Sequence, residues 1–286
     1  MNQDDTASIV FSVIYSGLNS FRSGSMSILF SISLFFLSIV CSFAQTKPYE
    51  VKNQSFQNGE KIAYQVYYNW GFIWFNAAKV EFSVTADKMS DKRVYHIVSI
   101  GNTYESYDWI YKVRDKYETF IDQKTFLPIK FIRDVKEGSL KIYQSAIFDY
   151  DQKKIYIKDK VIDLPDYTQD VLSAVYYSRN IDFSGYKPND LIPIVLFIDD
   201  KVYNLKIKYL GKEVVQTYFG KYNCIKFRPQ LVEGTIFKGG DEMVVWVSDD
   251  ENKVPIRVET PILVGSIKVD LSAYYGLKYP LRAKVK

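Results

Sequence analysis

Two arms of alternating side chains between Phe56 and Ala86 set the strongest limit on what this chain can fold into. The first arm runs from Lys61 to Tyr68 and places Ile62, Tyr64, Val66 and Tyr68 on one face. The second runs from Lys79 to Thr85, with Val80, Phe82 and Val84 on one face and Lys79, Glu81, Ser83 and Thr85 on the other. A period of two is the signature of half-buried strands. The stretch therefore reads as an antiparallel pair. Its connector, Trp70-Gly71-Phe72-Ile73-Trp74-Phe75, carries four large rings in six residues.

The same grammar continues along the chain. Strands are expected at Arg93–Ile100, with Val94, His96, Val98 and Ile100 on one face, and at Tyr117–Ile121, Pro128–Val135, Leu140–Tyr150, Ile192–Asp199, Val202–Tyr209, Glu213–Tyr218, Tyr222–Pro229, Met243–Ser248, Val254–Thr260 and Ile267–Tyr274. Gly, Pro or acidic turn residues bound them, and Gly211-Lys212 reads as one such turn. Thr103–Tyr111 fits either a strand or a short helix. One helix stands out, Gln169–Ser178, where Val171, Leu172, Val175 and Tyr176 form a helical stripe and Thr168 is the expected N-cap. The fold class is thus all-β: a curved antiparallel sheet or barrel with one short central helix. Asp115–Pro128 and Asp241–Pro255 share a pattern, each followed by a strand, a Gly-Ser pair and another strand. This suggests two similar halves, 56–165 and 186–280, within a single domain, 45–286.

The N-terminus reads as an export signal. Ile28–Val40 is apolar apart from serines, and Ser42 and Ala44 suit cleavage after Ala44. The run is shorter than the roughly 20 residues a membrane-spanning helix needs. Residues 1–44 are therefore expected to be a signal peptide, with Met26 as an alternative start and 1–25 an upstream mis-start. The competing expectation is a retained anchor, including lipidation at Cys41. Removing 1–44 leaves 36 basic and 31 acidic side chains, a net charge of +5 against +4 for the whole chain. The lysines are scattered and form no basic run, which argues against nucleic acid as a partner. Only Cys224 remains as a thiol, so no intrachain disulfide is expected.

Three motifs carry a family resemblance: Phe56-x-x-Gly59-Glu60-x-Ile62-x-Tyr64, Asp170-Val-Leu-Ser173-Ala174-Val-Tyr-Tyr177-Ser-Arg179, and Trp246-Val-Ser248-Asp249-Asp250 with Pro255 and Glu259. Together they resemble the bacterial family called domain of unknown function 3108, over nearly all of 45–286. The resemblance implies an exported envelope protein of Gram-negative bacteria, many of them Bacteroidetes, in the periplasm or associated with the outer membrane. It brings no catalytic residues. The Trp-hairpin also resembles one in periplasmic lipoprotein-carrier half-barrels, a likeness of fold that does not fix function. Asn76-Ala77-Ala78 departs from the family's Ala-Gly before the second strand, which leaves the bulge geometry there open.

No constellation for chemistry is evident. His96 is the only histidine, and there is no Gly-x-Ser-x-Gly elbow. Cys224 lies among apolar residues and reads as a buried thiol. Asp249-Asp250-Glu251-Asn252 lacks a recognised calcium-loop spacing and reads as a hairpin turn. Glu105, Asp108, Asp115 and Glu118 would have to supply any carboxylate pair for glycan hydrolysis. No catalytic residue, metal or cofactor is expected. The connector is either core, as a plug or a strand continuing through a bulge at Gly71, or a contact for ligand, partner or membrane. The candidate binding residues are Trp70, Phe72, Trp74, Phe75, Trp109 and Tyr111. The expected function is a non-enzymatic envelope protein that binds an apolar or lipid-like ligand, or an outer-membrane or envelope partner. The alternatives are an assembly factor without a small ligand and an envelope-glycan hydrolase.

Overall fold

The structure is a computed structural model that describes residues 51–285, except 71–72, 110, 233–242 and 262–264; for Trp70 it describes the backbone only. The expected signal segment 1–44, with Met26 and Cys41, lies outside the described residues, as does Phe72.

The strands are β1 Lys61–Trp70, β2 Ile73–Met89, β3 Lys92–Thr103, β4 Arg114–Asp122, β5 Pro128–Glu137, β6 Leu140–Asp149, β7 Lys154–Ile157 and β8 Lys160–Asp163 in the first half. A short β9, Thr168–Asp170, leads into helix α1, Val171–Ser178. Then follow β10 Leu191–Ile198, β11 Lys201–Thr217, β12 Gly220–Pro229, β13 Val244–Ser248, β14 Pro255–Pro261, β15 Ser266–Tyr275 and β16 Lys284–Val285. They form one sheet in the order β8-β7-β6-β5-β4-β3-β2-β1-β15-β14-β13-β12-β11-β10-β9, with β16 on β12 outside that path. Both halves are meanders that meet at the β1–β15 pair. Among the described residues only β9–β10 is a parallel pair. The sheet does not close. It curls until its two flanks share a core in which Phe131 and Phe148 from one side meet Phe197, Ile207 and Phe227 from the other. Phe148 and Phe197 touch edge to face at 5.5 Å.

The expected all-β architecture with one short helix is what the chain adopts. Four local expectations change. The helix starts at Val171, and Thr168–Asp170 is extended; Asp170, not Thr168, is the N-cap. Its carboxylate accepts from the backbone N–H groups of Leu172 and Ser173, both at 2.8 Å, while the Ser173 hydroxyl accepts from the Asp170 N–H. Gly211 is not a turn. It sits at a register shift inside one long strand, at φ +105°, so β11 runs unbroken from Lys201 to Thr217. Thr103–Tyr111 becomes the end of β3 and a single 3-10 turn, Glu105–Tyr107. On β3 the core-facing residues are Ile97 and Ser99, and the apolar set containing Val98 and Ile100 faces outward with His96.

The two patterned stretches fold alike. β4–β6 and β13–β15 are three-stranded antiparallel meanders. In each, the first hairpin shifts register just after its proline, where Ile129 is extra opposite Phe120/Ile121 and Ile256 is extra opposite Trp246/Val247.

Candidate functional site

The concave face of the sheet and helix α1 enclose an apolar cavity of about 260 Å³. Its walls follow from strand alternation. On β1 the inward residues are Ile62, Tyr64 and Val66; on β2, Val80 and Phe82. Ser99 of β3 and Tyr117 of β4 continue the wall on one side, and Val258, Thr260, Ile267 and Val269 of β14 and β15 on the other. The helix supplies the roof with Val171, Leu172, Val175 and Tyr176, the stripe already visible in its sequence, and its C-cap Arg179 completes it. α1 is held in place at its start by Asp170, whose second carboxylate oxygen accepts from Thr119 at 2.6 Å. Burial pushes the Asp170 carboxyl up to about 6, against the pull of its hydrogen bonds from Thr119, Ser173 and Leu172.

Arg179 is the one charged residue on the lining. Its charge is answered on the side away from the cavity. The guanidinium donates to both Glu60 carboxylate oxygens at 2.6 and 2.9 Å, to the Ser55 carbonyl at 3.2 Å and to the Asn252 carbonyl at 3.1 Å. Glu60 and Arg179 are both fully buried. Phe56 and Tyr176 flank the guanidinium, with ring centroids 5.6 and 5.1 Å away. Burial works against the Arg179 charge, and the Glu60 carboxylate more than offsets it, holding the guanidinium above its ordinary value. Two of the resemblance motifs thus meet at one ion pair, since Glu60 belongs to the first and Arg179 to the second. Asn252, in the turn between Asp250 and Pro255 of the third motif, joins them through its carbonyl, and its side chain clamps the C-terminal segment by bonds to Tyr279.

A second interior cluster lies beside the cavity. Asp115 of β4 and Glu137 of β5 face inward and are buried. Asp115 accepts from the Lys136 N–H at 3.0 Å. Burial raises both carboxyls; the Asp115 charge and hydrogen bond raise Glu137 further, whereas the hydrogen bonds from the Lys136 N–H and Glu137 pull Asp115 back. The other acids considered for hydrolysis are engaged elsewhere. Asp108 pairs with Arg114 at 2.6 Å, and Glu118 pairs on the outer face with His96 at 2.8 Å and Lys116 at 2.7 Å. Glu105 is exposed. His96 stacks on Phe120 with ring centroids 4.2 Å apart. Cys224 is buried, and burial pushes its thiol up to about 12. The Asp249–Asn252 turn spends its side chains on structure: Asp250 accepts from Ser248 Oγ and from the backbone N–H groups of Asn252 and Ala283. Among the described residues no group of three or more His, Cys, Asp or Glu could hold a metal.

Of the aromatic residues singled out in the sequence, Trp74, Phe75, Trp109 and Tyr111 are not on the cavity lining. The β1–β2 hairpin continues into the connector until the backbones of Trp70 and Ile73 pair. Ala77 is the extra residue of a bulge between the Val66–Ala78 and Tyr67–Asn76 pairs. Phe75 pairs with Tyr68 on the inward face, its ring 6.1 Å from the Tyr68 ring. Trp74 points outward, 42 % exposed, with the Lys268 ammonium 4.3 Å over its ring. Trp109 is 82 % exposed beyond the 3-10 turn. Tyr111 packs over Gly138, where a Cβ would stand 2.8 Å from its ring. The alternation of the first two strands and the helical stripe mark Ile62, Tyr64, Val66, Val80, Phe82 and the helix residues in the sequence, but not Ser99. What one sequence does not show is that the stripe faces β1, β2, β14 and β15 across the curl.

A family model described as "Protein of unknown function (DUF3108)" matches residues 63–272. No curated protein matches. Among solved structures, the chain is similar to a β-barrel-like protein of domain of unknown function DUF1849 from Brucella abortus, with a TM-score of 0.52 and 9 % identity over 79 % of this chain and 100 % of that one. That likeness concerns the fold alone. A candidate lipoprotein from Parabacteroides distasonis matches with a TM-score of 0.35 and 11 % identity, over 80 % of this chain and 100 % of that one. A candidate exported protein with a YmcC-like fold from Bacteroides fragilis matches with a TM-score of 0.31 and 13 % identity, over 79 % and 99 %. Among the described residues no helix is long and apolar enough to cross a membrane.

Proposed function

The chain belongs to the DUF3108 family, and within it we propose that this protein is a non-enzymatic, exported envelope protein that binds an apolar or lipid-like ligand in the cavity beneath α1. The observation that carries this reading is the lining: strand and helix side chains that are apolar except for Ser99, Thr260 and an Arg179 already paired with Glu60. Binding sites of this kind are concave, largely apolar and preformed. Burying about 300 Å² of a ligand's apolar surface there contributes on the order of 7 kcal/mol before the costs of association. A lining without a free charge selects for an uncharged chain or ring system, since a buried unpaired charge costs far more than the cavity returns.

Native mass spectrometry of the gently purified protein tests this. The expected spectrum contains adducts of lipid mass that dissociate on collisional activation. A clean apo mass, together with no uptake of an added apolar probe, would leave the reading as an assembly factor without a small ligand.

A further inference from the structure

Resting on the cavity reading, we propose that the end of the sheet where Ile73, Trp109 and Leu140 lie docks onto a lipid surface and is the end through which the apolar ligand passes. Antiparallel order puts the start of β2, the segment after β3 and the start of β6 at the same end. All three side chains face solvent: Ile73 at 63 %, Trp109 at 82 % and Leu140 at 38 % exposure. Singly exposed apolar residues are ordinary, but three from separate segments at one end are not explained by packing.

The inward face leads from the cavity to that end. Beyond Val66, which lines the cavity, the next inward residue of β1 is Tyr68, paired with Phe75 of β2. Phe75 is followed on the same face by exposed Ile73. An apolar path therefore joins the cavity lining to the tip. Turn tips do not make the flat, continuous patch that a folded protein partner would cover. A soft plane of lipid can meet all three together. The polar company suits headgroups. Lys268 lies over Trp74 on the outer face, Lys112 follows Trp109 by three residues, and Lys141 follows Leu140. Tryptophan with lysine is the composition of a membrane–water boundary. Lys268 also faces Glu259 at 3.5 Å and Lys112 faces Asp108 at 3.8 Å. The apolar side chains thus supply most of the attachment and the lysines a smaller preference for anionic lipid.

The test mixes the full chain with phosphatidylcholine vesicles, with and without phosphatidylglycerol, in which a fraction of the acyl chains is brominated. Bromine quenches only those tryptophans that reach the acyl region. The expected result is quenching that is lost in part in Trp109→Phe, and a lipid-concentration midpoint about tenfold higher in Ile73→Ser, the factor expected from withdrawing one aliphatic side chain from lipid. Quenching unchanged in Trp109→Phe and a midpoint unchanged in Ile73→Ser would overturn the proposal even if the protein is bound to vesicles by another segment. So would the absence of quenching, including the case in which these positions crosslink to a protein instead. Failure of the cavity reading is seen separately: a Val66→Phe variant that quenches normally and still takes up an apolar probe leaves docking in place and removes the cavity as its purpose.

Discussion

Removing the Arg179 side chain should unfold more of this protein's stability than any other single polar change. The perturbation is Arg179→Met, which keeps an unbranched chain of similar length beside Phe56 and Tyr176. It strips the buried Glu60 carboxylate of the guanidinium that pairs with it and leaves the Ser55 and Asn252 carbonyls without this donor. Both ionised groups are buried. Breaking such a pair from one side costs about 3–5 kcal/mol, because the remaining charge stays out of water. For a chain of this size about 1 kcal/mol moves the melting temperature by roughly 2–4 °C, so the drop should be on the order of 10 °C. Glu60→Gln alone should also destabilise. The double variant Glu60→Gln with Arg179→Met should recover part of the sum, since neither charge is then stranded. Urea unfolding followed by tryptophan fluorescence measures all four states of the cycle. A single Arg179→Met cost below about 1 kcal/mol, or strict additivity in the double variant, would refute the claim that this pair ties the lead-in, β1, α1 and the Asn252 turn together.

Other consequences follow from the same geometry. Folding raises the carboxyl pKa values of Asp170 to about 6, and of the Asp115–Glu137 pair, so the folded state holds protons that the unfolded chain has released. Their contribution is complete below about pH 4 and is lost as pH rises through the folded values; unfolding midpoints should therefore fall from mildly acidic to alkaline pH, and Glu137→Gln should flatten the alkaline part. Cys224 should resist a neutral-pH disulfide reagent in the folded protein and react once urea unfolds it, because the thiol is buried and its pKa is pushed up to about 12. Gly265→Ala should weaken the β14–β15 junction by more than about 1 kcal/mol, since its backbone is at φ +86° and a Cβ would stand 2.0 Å from the Asn69 carbonyl oxygen; thermal melts that match the parent would contradict this.

The strand plan could be read from residue alternation because one face of almost every strand is buried, and period-two patterns survive wherever that is so. It misled at β3, where Val98 and Ile100 are apolar but outward and Ser99 faces the cavity. It also misled at Gly211, because a glycine bulge and a glycine turn use the same residue for the same positive φ. The N-cap was misplaced by two residues. Thr168 and Asp170 are both good caps by type, and only the Ser173 hydroxyl completing the box decides between them. The cavity itself could not be read. Its walls come from opposite ends of the chain, Ile62 to Phe82 and Val258 to Val269, and the helix that roofs it lies between them in sequence. The aromatic connector stands out by composition, and of its residues the structure leaves Ile73 and Trp74 exposed and sets Phe75 beside Tyr68.

The central claim is that the space beneath α1 takes an apolar molecule, and filling that space tests it most directly. Val66→Phe places a ring between β1 and the helix, and titration with a fluorescent naphthylamine probe reads the result. Saturable binding to the parent protein, at least about tenfold weaker in Val66→Phe whose unfolding free energy stays within about 1–3 kcal/mol of the parent, is the predicted outcome. Equal probe affinity in the two proteins, or no saturable binding to either, would contradict it.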